Sequence, residues 1–526
     1  MLPSLPVECL EEIIKNLKND YISLHSCILV NYLWSSVSVR YLWKFPFGFF
    51  KEPKRSIIQT YLSCLPESSK LTLLKNGIEL PSTTSHVPAY NYPSFIQKIC
   101  IKSLFFTTEA LFEKCEPLSI LLIIRELCKV FISNSLKVEQ LELTFYHSSL
   151  KNIPIDYPVY DWYLLLPKFP GAKSCLSNLK ELILDQNFDQ RGFLSALSEI
   201  SHKIENLDVY YGNNNHDLAL EKLIRNQRNL KVFSTFLYEG NWSIVPSLWQ
   251  HKSSLKEIIF HRVNFNDCTS LTGLAMCVNL ERLIFKESFY LRKELLDEFA
   301  LECNLPKLKE FRYESVFWEM DDVTYDISSM LKRTNESLKF LTFNDSFRNV
   351  RSPLWESSTP YINLQSVEAI THCCQNLVSI DATITNVIAS TFLMTLSSCK
   401  RLQELILYLN NDVELEDYLP AIGRNLSKSL RILEVSTIND FSIQSLNDLL
   451  FSCNPRLSTI RFLYSKCFND QYLDVIVNYA IEMGGSLLDE LKLYSKSKVS
   501  DEALKKAREY IKLVEFIEFC SLVNPI

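Results

Sequence analysis

Side chains able to do chemistry are plentiful in this chain, but their spacing does not assemble a reaction centre. The one histidine–cysteine cluster is His372-Cys373-Cys374. Metal ligation needs side chains that converge on a point, whereas consecutive residues of a helix point in different directions. The triplet therefore reads as packing, and no metal is expected. None of the 16 cysteines forms a C-x-x-C pair, which removes zinc sites built from close cysteine pairs. The 10 glycines contain no G-x-G and no Gly-Lys. That excludes the dinucleotide fingerprint, the kinase glycine loop and the P-loop. A G-x-S-x-G elbow and an H-E-x-x-H helix are missing too, and no two of the eight histidines stand four apart. The many carboxylates fall where a solvated strand or helix position would carry charge anyway. The expectation is a protein with no catalytic residue and no cofactor.

Composition narrows the class further. Lys and Arg total 55 against 61 Asp and Glu, a net charge of −6, so a nucleic-acid partner is not expected. Hydrophobic residues make up 47% and charged residues 22%, as in a folded globular chain. The apolar run Leu118 to Ile124 is closed by Arg125, far short of the ~20 residues that span a membrane. Met1 to Leu17 carries Glu8, Glu11, Glu12 and Lys15, so it holds no uncharged export segment. An intracellular protein, cytoplasmic or nuclear, with reduced thiols packed as small hydrophobes is expected.

What the chain does contain is repetition. L-x-x-apolar-x-apolar recurs as NLKELIL from Asn178, SLKEIIF from Ser254, NLERLIF from Asn279, RLQELIL from Arg401 and SLRILEV from Ser429. First positions fall at 138, 179, 204, 230, 255, 280, 308, 338, 377, 402, 430, 457, 488 and 514. Most steps are 25 to 31 residues, with two long ones of 41 and 39. A possible earlier copy starts at Ile96. The alternation at the end of each copy suits a short strand with one buried face. Helix-like runs lie between copies, such as Ser366 to Cys374, Ile443 to Phe451 and Asp501 to Ile511, the last with Ser500 or Asp501 as N-cap. One strand and one helix cannot close a core, but stacked units bury one continuously.

This pattern resembles the leucine-rich-repeat family over roughly residues 96–526, with 14 or 15 repeats. Cys277, Cys374 and Cys399 lie three residues before a first-position leucine and Cys453 four before, which resembles the cysteine-containing type. The long steps hold Lys151 to Lys173 and Phe347 to Pro360, which read as loops inserted at the repeat edge.

The amino-terminal segment departs from the repeat. Pro6 can open a helix, and Glu8, Glu11 and Glu12 suit its positive end. Leu10, Ile13, Ile14 and Leu17 form an apolar stripe at helical spacing, and Asn19-Asp20 breaks it. A second helix follows from about Ser23, and a third includes Val30, Leu33 and Trp34. Leu5-Pro6, Glu8, this stripe, and Val30-Asn31 with Trp34 and Trp43 resemble the F-box. The resemblance implies an F-box at 1–45, a helical linker at 46–95 and the repeats at 96–526. It implies an α/β fold: a three-helix F-box followed by a curved leucine-rich-repeat solenoid with a parallel concave sheet. It also implies that Leu5, Pro6, Glu8, Leu10, Ile13, Leu17, Val30 and Trp34 serve a Skp-type adaptor and, through it, a cullin. The chain would then be the substrate-recognition subunit of an SCF-type ubiquitin ligase. The rival is a non-catalytic repeat scaffold or inhibitor outside ubiquitination.

Period-two alternation puts residues two, four and six after each first position on the face opposite the core. Fourteen strands ~4.8 Å apart make an arc of about 60 to 70 Å, the scale of a protein partner. On that face Glu181, Asp185 and Asp208 come early, His261, Arg282, Lys286, Arg312 and Glu314 in the middle, and Glu404, Tyr408, Glu434, Arg461 and Lys492 late. Acidic, basic and mixed zones result. The basic zone, with His261, Tyr408 and Arg461 beside it, is the candidate substrate surface, and its arginines suit acidic or phosphorylated protein.

Overall fold

The computed structural model describes residues 5–47, 54–82, 87–144, 165–184, 191–210, 217–236, 244–315, 324–334, 336–345, 361–452, 456–465, 467–482, 488–494 and 498–517. Three short helices open the chain: α1 (Val7–Asn16), α2 (Tyr21–Ile28) and α3 (Tyr32–Leu42). Pro6 stands at the N-cap of α1, one position before the first turn. Asp20 caps α2 by accepting from the Ser23 amide at 3.1 Å, which starts that helix two residues earlier than its apolar face suggests. Asn31 caps α3 through the Trp34 amide at 3.0 Å, and Val30 lies in the turn before it. The core of this bundle is Leu10, Ile14, Leu24, Val37 and Leu42, with Leu17 and Trp34 packed on it.

The repeat strands are β1 (Lys98–Cys100), β2 (Gln140–Leu143), β3 (Glu181–Leu184), β4 (Asn206–Tyr210), β5 (Val232–Phe236), β6 (Glu257–His261), β7 (Arg282–Ser288) and β8 (Glu310–Ser315). After the small strand β9 (Thr324–Tyr325) come β10 (Phe340–Asp345), the small strand β11 (Tyr361–Ile362), β12 (Ser379–Ile384) and β13 (Glu404–Leu409). The series ends with β14 (Ile432–Ser436), β15 (Thr459–Leu463), β16 (Leu488–Tyr494) and β17 (Ile511–Ile517). Fifteen of them form one unclosed sheet in chain order, parallel wherever the register is described, while β9 and β11 pair separately. The class is α/β, and the repeating strand–helix unit is the reason: each strand buries one face and the following helix covers it.

Positions one, four and six of each copy, such as Leu280, Leu283 and Phe285 or Leu402, Leu405 and Leu407, are buried. Ile96, Ile99 and Ile101 obey the same rule, and Ile99 registers with Leu141, so a strand does form at Ile96. The last copy is shifted. Leu491 registers with Val514 and Leu488 with Ile511, so Ile511 takes position one and Val514 position four. The helix before it is correspondingly short, Asp501–Ala507, with Ser500 as its cap. The other expected helices are Leu364–Cys373 and Ile443–Phe451. Cys277, Cys374 and Cys399 are buried at the helix-to-strand turns, where their carbonyls accept from the amides of Leu280, Leu377 and Leu402. Cys453, Asp185 and the segment 346–360 lie outside the described residues.

The chain divides into two compact units, Met1–Phe233 and Ser234–Ile526. In the first, α4 (Arg55–Ser63), α5 (Glu67–Lys75), α6 (Ile101–Leu111) and α7 (Pro117–Asn134) follow the N-terminal helices. Trp43 packs on Tyr61 of α4 and on Tyr92, with ring centroids 5.2 and 4.3 Å apart. Glu126 of α7 is fully buried and accepts from Ser69 Oγ at 2.8 Å and Lys129 Nζ at 2.6 Å, tying α5 to α7. It is an exception to solvated carboxylates, satisfied by partners as burial requires. Of the expected loop at 151–173, only 165–173 is described, and it folds back on α7: Ser133 Oγ donates to the Pro170 carbonyl. Gly171, at φ +86°, is required there, since a Cβ would sit 2.8 Å from the Ile132 carbonyl oxygen.

Candidate functional site

Two surfaces carry the residues singled out from the sequence. The first lies on the N-terminal helices. Leu5, Pro6, Glu8, Ile13 and Val30 are exposed, whereas Leu10 is fully buried and cannot meet a partner. The stripe splits because Leu10, Ile14 and Leu17, at i, i+4 and i+7, face the bundle, while Ile13 sits on its edge. Leu17 and Trp34 are half-buried against the same core. Ile22, Leu29 and Tyr32 are exposed as well, at 75%, 74% and 81%. Leucine and isoleucine on a module this small would ordinarily be spent on its core, so the exposed set forms an apolar surface without a partner in the described residues.

The second surface is the strand face of the Ser234–Ile526 unit. Its middle is not a basic zone. Arg282 sits between two carboxylates: its Nη1 meets Glu257 at 2.8 Å and its Nε meets Glu310 at 2.7 Å. Arg312 reaches Glu314 at 3.1 Å and Glu310 at 3.5 Å. Arg461 repeats the arrangement between Glu434 at 3.4 Å and Glu490 at 2.9 Å, and Lys492 lies between Glu490 at 2.7 Å and Glu515 at 3.3 Å. The pairs of Arg282 and Arg461 are cross-strand and made by register, Glu257 with Arg282, Arg282 with Glu310 and Glu434 with Arg461, whereas Arg312 is held by two carboxylates of its own strand β8. Flanking carboxylates hold both guanidinium groups, so neither Arg282 nor Arg312 is a free anion receptor. Lys286 makes no ion pair among the described residues.

At the end of β6 and β7 a tighter cluster forms. Arg262 and Glu287 take left-handed backbone, φ 53° and 49°, which turns their side chains together; Arg262 Nε donates to Glu287 at 2.6 Å. His261 Nε2 stands 3.7 Å from Glu287, an electrostatic contact beyond hydrogen-bond reach. His261 also meets the Phe236 ring edge-on at 4.5 Å. The Glu287 carboxyl is held down at about 2, by His261 first, against burial and with Arg262 adding. Glu314 moves the other way: burial pushes its carboxyl up, Arg312 pulls it back, and the Asp381 charge adds to the rise.

Tyr408, on β13, belongs to an aromatic row, 6.5 Å from Tyr464, which is 6.1 Å from Tyr494. Glu257, Glu310, Glu287 and Phe340 were missed from the sequence. The first two follow the same positional rule as Arg282, but only the register shows that they hold it. Among the described residues no group of three His, Cys, Asp or Glu side chains could hold a metal ion. Burial pushes the Cys374 thiol up to about 12, and Cys373 beside it is only half-buried. No helix among the described residues is long and apolar enough to cross a membrane.

Comparisons with known proteins add little. No family model matches the chain. No curated protein matches it either. Among solved structures it is similar to the yeast complex of Rad7 and Elc1, at 16% identity and a TM-score of 0.40, covering 64% of this chain and 81% of that one.

Proposed function

We propose that this chain is the substrate-recognition subunit of a cullin-type ubiquitin ligase. In this reading α1–α3 dock a Skp-type adaptor and, through it, a cullin, while the strand face holds a protein substrate. The chain itself does no chemistry; bond formation belongs to other subunits. The observation that carries the reading is the apolar surface of α1–α3. Leu5, Ile13, Ile22, Leu29, Val30 and Tyr32 are exposed on a bundle whose core is already complete without them. A partner covering them would remove that apolar area from water and stabilise a module near the lower size limit for folding. The sequence pattern from Leu5-Pro6 to Trp34 supports an F-box adaptor as that partner.

The test is co-purification. The chain, expressed with a Skp-type adaptor and a cullin, is expected to bring down both. Leu5→Ala with Ile13→Ala and Val30→Ala should abolish adaptor capture without changing the melting temperature, because all three side chains are exposed. Full capture by the triple variant overturns the reading. Capture of the adaptor without a cullin favours the scaffold or inhibitor.

A further inference from the structure

The net charge of −6 is an average over two edges of opposite sign. In the Ser234–Ile526 unit the strands run parallel with helices between them, so every turn from a helix into the next strand lies on one edge. Taken from four residues before to one residue after position one, the eight turns into β6–β8, β10 and β12–β15 carry ten Lys or Arg and two Glu, a net charge of +8. The cations concentrate at β13–β15. Lys400, Arg401, Lys428, Arg431 and Arg456 are all exposed there, and those three turns hold no carboxylate. None of the five makes an ion pair among the described residues. Arg431 Nη1 donates to the carbonyls of Lys428 at 3.3 Å, Leu430 at 3.0 Å and Arg456 at 3.5 Å, which sets two of the turns side by side. The opposite edge of the same repeats is acidic, with Asp412, Glu414, Glu416, Asp417 and Asp440, and part of its charge is spent internally. Glu416 accepts from the Ser442 amide at 2.8 Å, and Asp412 from the Asn386 amide at 3.0 Å. Helix dipoles favour this sorting of signs. They do not account for Lys400, Arg401, Lys428 and Arg456, which stand two to five residues past the helix ends with side chains that make no hydrogen bond among the described residues.

We infer that this edge binds the phosphate backbone of a nucleic acid without reading its sequence. The inference goes beyond the receptor reading and does not depend on it. Three properties select a phosphodiester chain over other anions. The first is length. The Arg431 amide bonds the Gln403 carbonyl and the Ser458 amide bonds the Arg431 carbonyl, so equivalent positions follow one another at the strand spacing of ~4.8 Å. From β6 to β15 the row runs about 34 Å, the length of about ten base pairs, and Lys252, Lys256, Lys307 and Lys339 continue it toward β6. A single phosphate group uses little of that length. The second is polarity. The leucines of the three turns, Leu402, Leu426, Leu430 and Leu457, are buried. The stretch therefore lacks the apolar centre of a protein interface and the apolar side chains that enter a lipid surface. The third is rigidity. Ser427 Oγ and Ser429 Oγ both donate to the Lys400 carbonyl, at 2.7 and 2.8 Å, which locks neighbouring turns together. The charges are thus spaced in advance, and none has to leave a carboxylate before meeting a phosphate. Lysine point charges and arginine forks both suit phosphate oxygens, and contacts of this kind position a backbone but carry no base readout.

The probe is a fluorescein-labelled DNA duplex of about 20 base pairs, in two unrelated sequences, titrated into the full chain from about 50 to 200 mM salt and read by anisotropy. Both duplexes are expected to bind alike. Five phosphate contacts should give a slope of about −4.5 in log affinity against log salt. Arg401→Gln with Lys428→Gln and Arg456→Gln should weaken both duplexes at least about tenfold and flatten the slope by about 3. Arg401→Lys with Arg456→Lys keeps the charge and should retain binding. Lys75→Gln with Lys102→Gln and Lys114→Gln removes the same charge from exposed positions of the Met1–Phe233 unit and should change neither affinity nor slope. Thermal melts confirm that the variants fold. Equal losses in the two triple variants, a slope near zero, or no duplex binding overturns the inference. Phosphatidylserine vesicles and a phosphoserine peptide are run alongside. Tighter binding of either than of the duplex, lost in the Arg401, Lys428 and Arg456 variant, overturns the inference in favour of a membrane or a phosphoprotein. Adaptor capture is measured on the same preparations. Adaptor binding without duplex binding removes this inference alone; duplex binding without adaptor removes the receptor reading alone.

Discussion

The backbone carbonyl of Lys44 accepts hydrogen bonds from the amides of Gln97, at 2.9 Å, and Lys98, at 3.4 Å. The same two-to-one pattern recurs one repeat later, where Gln97 accepts from Glu139 and Gln140, and again where Glu139 accepts from Lys180 and Glu181. Lys44 therefore stands at position two of a repeat that has no strand of its own. The helical bundle ends by supplying the acceptor that the outermost strand edge would otherwise lack, which is one way a sheet avoids an open edge. Trp43, one residue earlier, packs on Tyr61 and Tyr92.

Removing residues 1–44 is expected to expose the amides of Gln97 and Lys98 and the aromatic contacts of Trp43. Hydrogen exchange should then accelerate at Ile99 and Cys100 of β1 and leave Leu182 and Leu184 of β3 protected. Unchanged protection at β1 would show that the bundle and the repeats are energetically separate.

Inward and outward positions of a repeat should differ in cost. Leu280→Ala or Leu402→Ala, both fully buried, should destabilise by about 2–5 kcal/mol. Glu404→Ala, on the outer face, should stay within about 0.5 kcal/mol. Arg282→Ala should cost roughly 1 kcal/mol, since it leaves Glu257 and Glu310 without their shared cation on a partly solvated surface. Urea unfolding measures all of these, and equal costs for Leu280 and Glu404 would refute the register.

The repeat was legible because position-one leucines such as Leu280 sit in a local pattern, and burial follows from period two alone. The shift from Val514 to Ile511 was not, because VEFIEF and IKLVEF both fit the pattern and only pairing with Leu488 decides. The face was half legible. Arg282 could be placed outward from its own strand, but Glu257 and Glu310 hold it from strands 25 and 28 residues away, and cross-strand charge compensation has no local signature. Leu10 and Ile13 illustrate the same limit on a helix: both are apolar and three apart, and only the position of α3 determines which one is buried.

The buried cysteines should resist thiol reagents. Burial pushes Cys277 and Cys374 up to about 12 and Cys399 up to about 11, so their thiolate populations are negligible at pH 8. Cys9 is exposed on α1 and should react within the first minutes of a colorimetric thiol titration of the native chain, with these three appearing only on denaturation. Fast native labelling of Cys374, mapped by mass spectrometry, would contradict the buried turn.

The last prediction concerns acid. A carboxyl depressed by native contacts stabilises the fold above its unfolded value and loses that contribution as pH falls through its folded value. For Glu287 the unfolded value is 4.5 and the folded one about 2. Glu287→Gln should therefore lower stability by roughly 1–3 kcal/mol at neutral pH, the range for a hydrogen bond to a charged group. The gap between the two proteins should hold above pH 5 and narrow as pH drops below 4.5. Arg262→Ala removes one of the two partners that hold the carboxyl down, so in that background the gap should be smaller at neutral pH and finish closing at a higher pH. Thermal melts stepped from pH 7 to pH 3.5 measure the gap. A difference that stays constant over that range would mean that Glu287 acts by packing and not through the charge shared with His261 and Arg262.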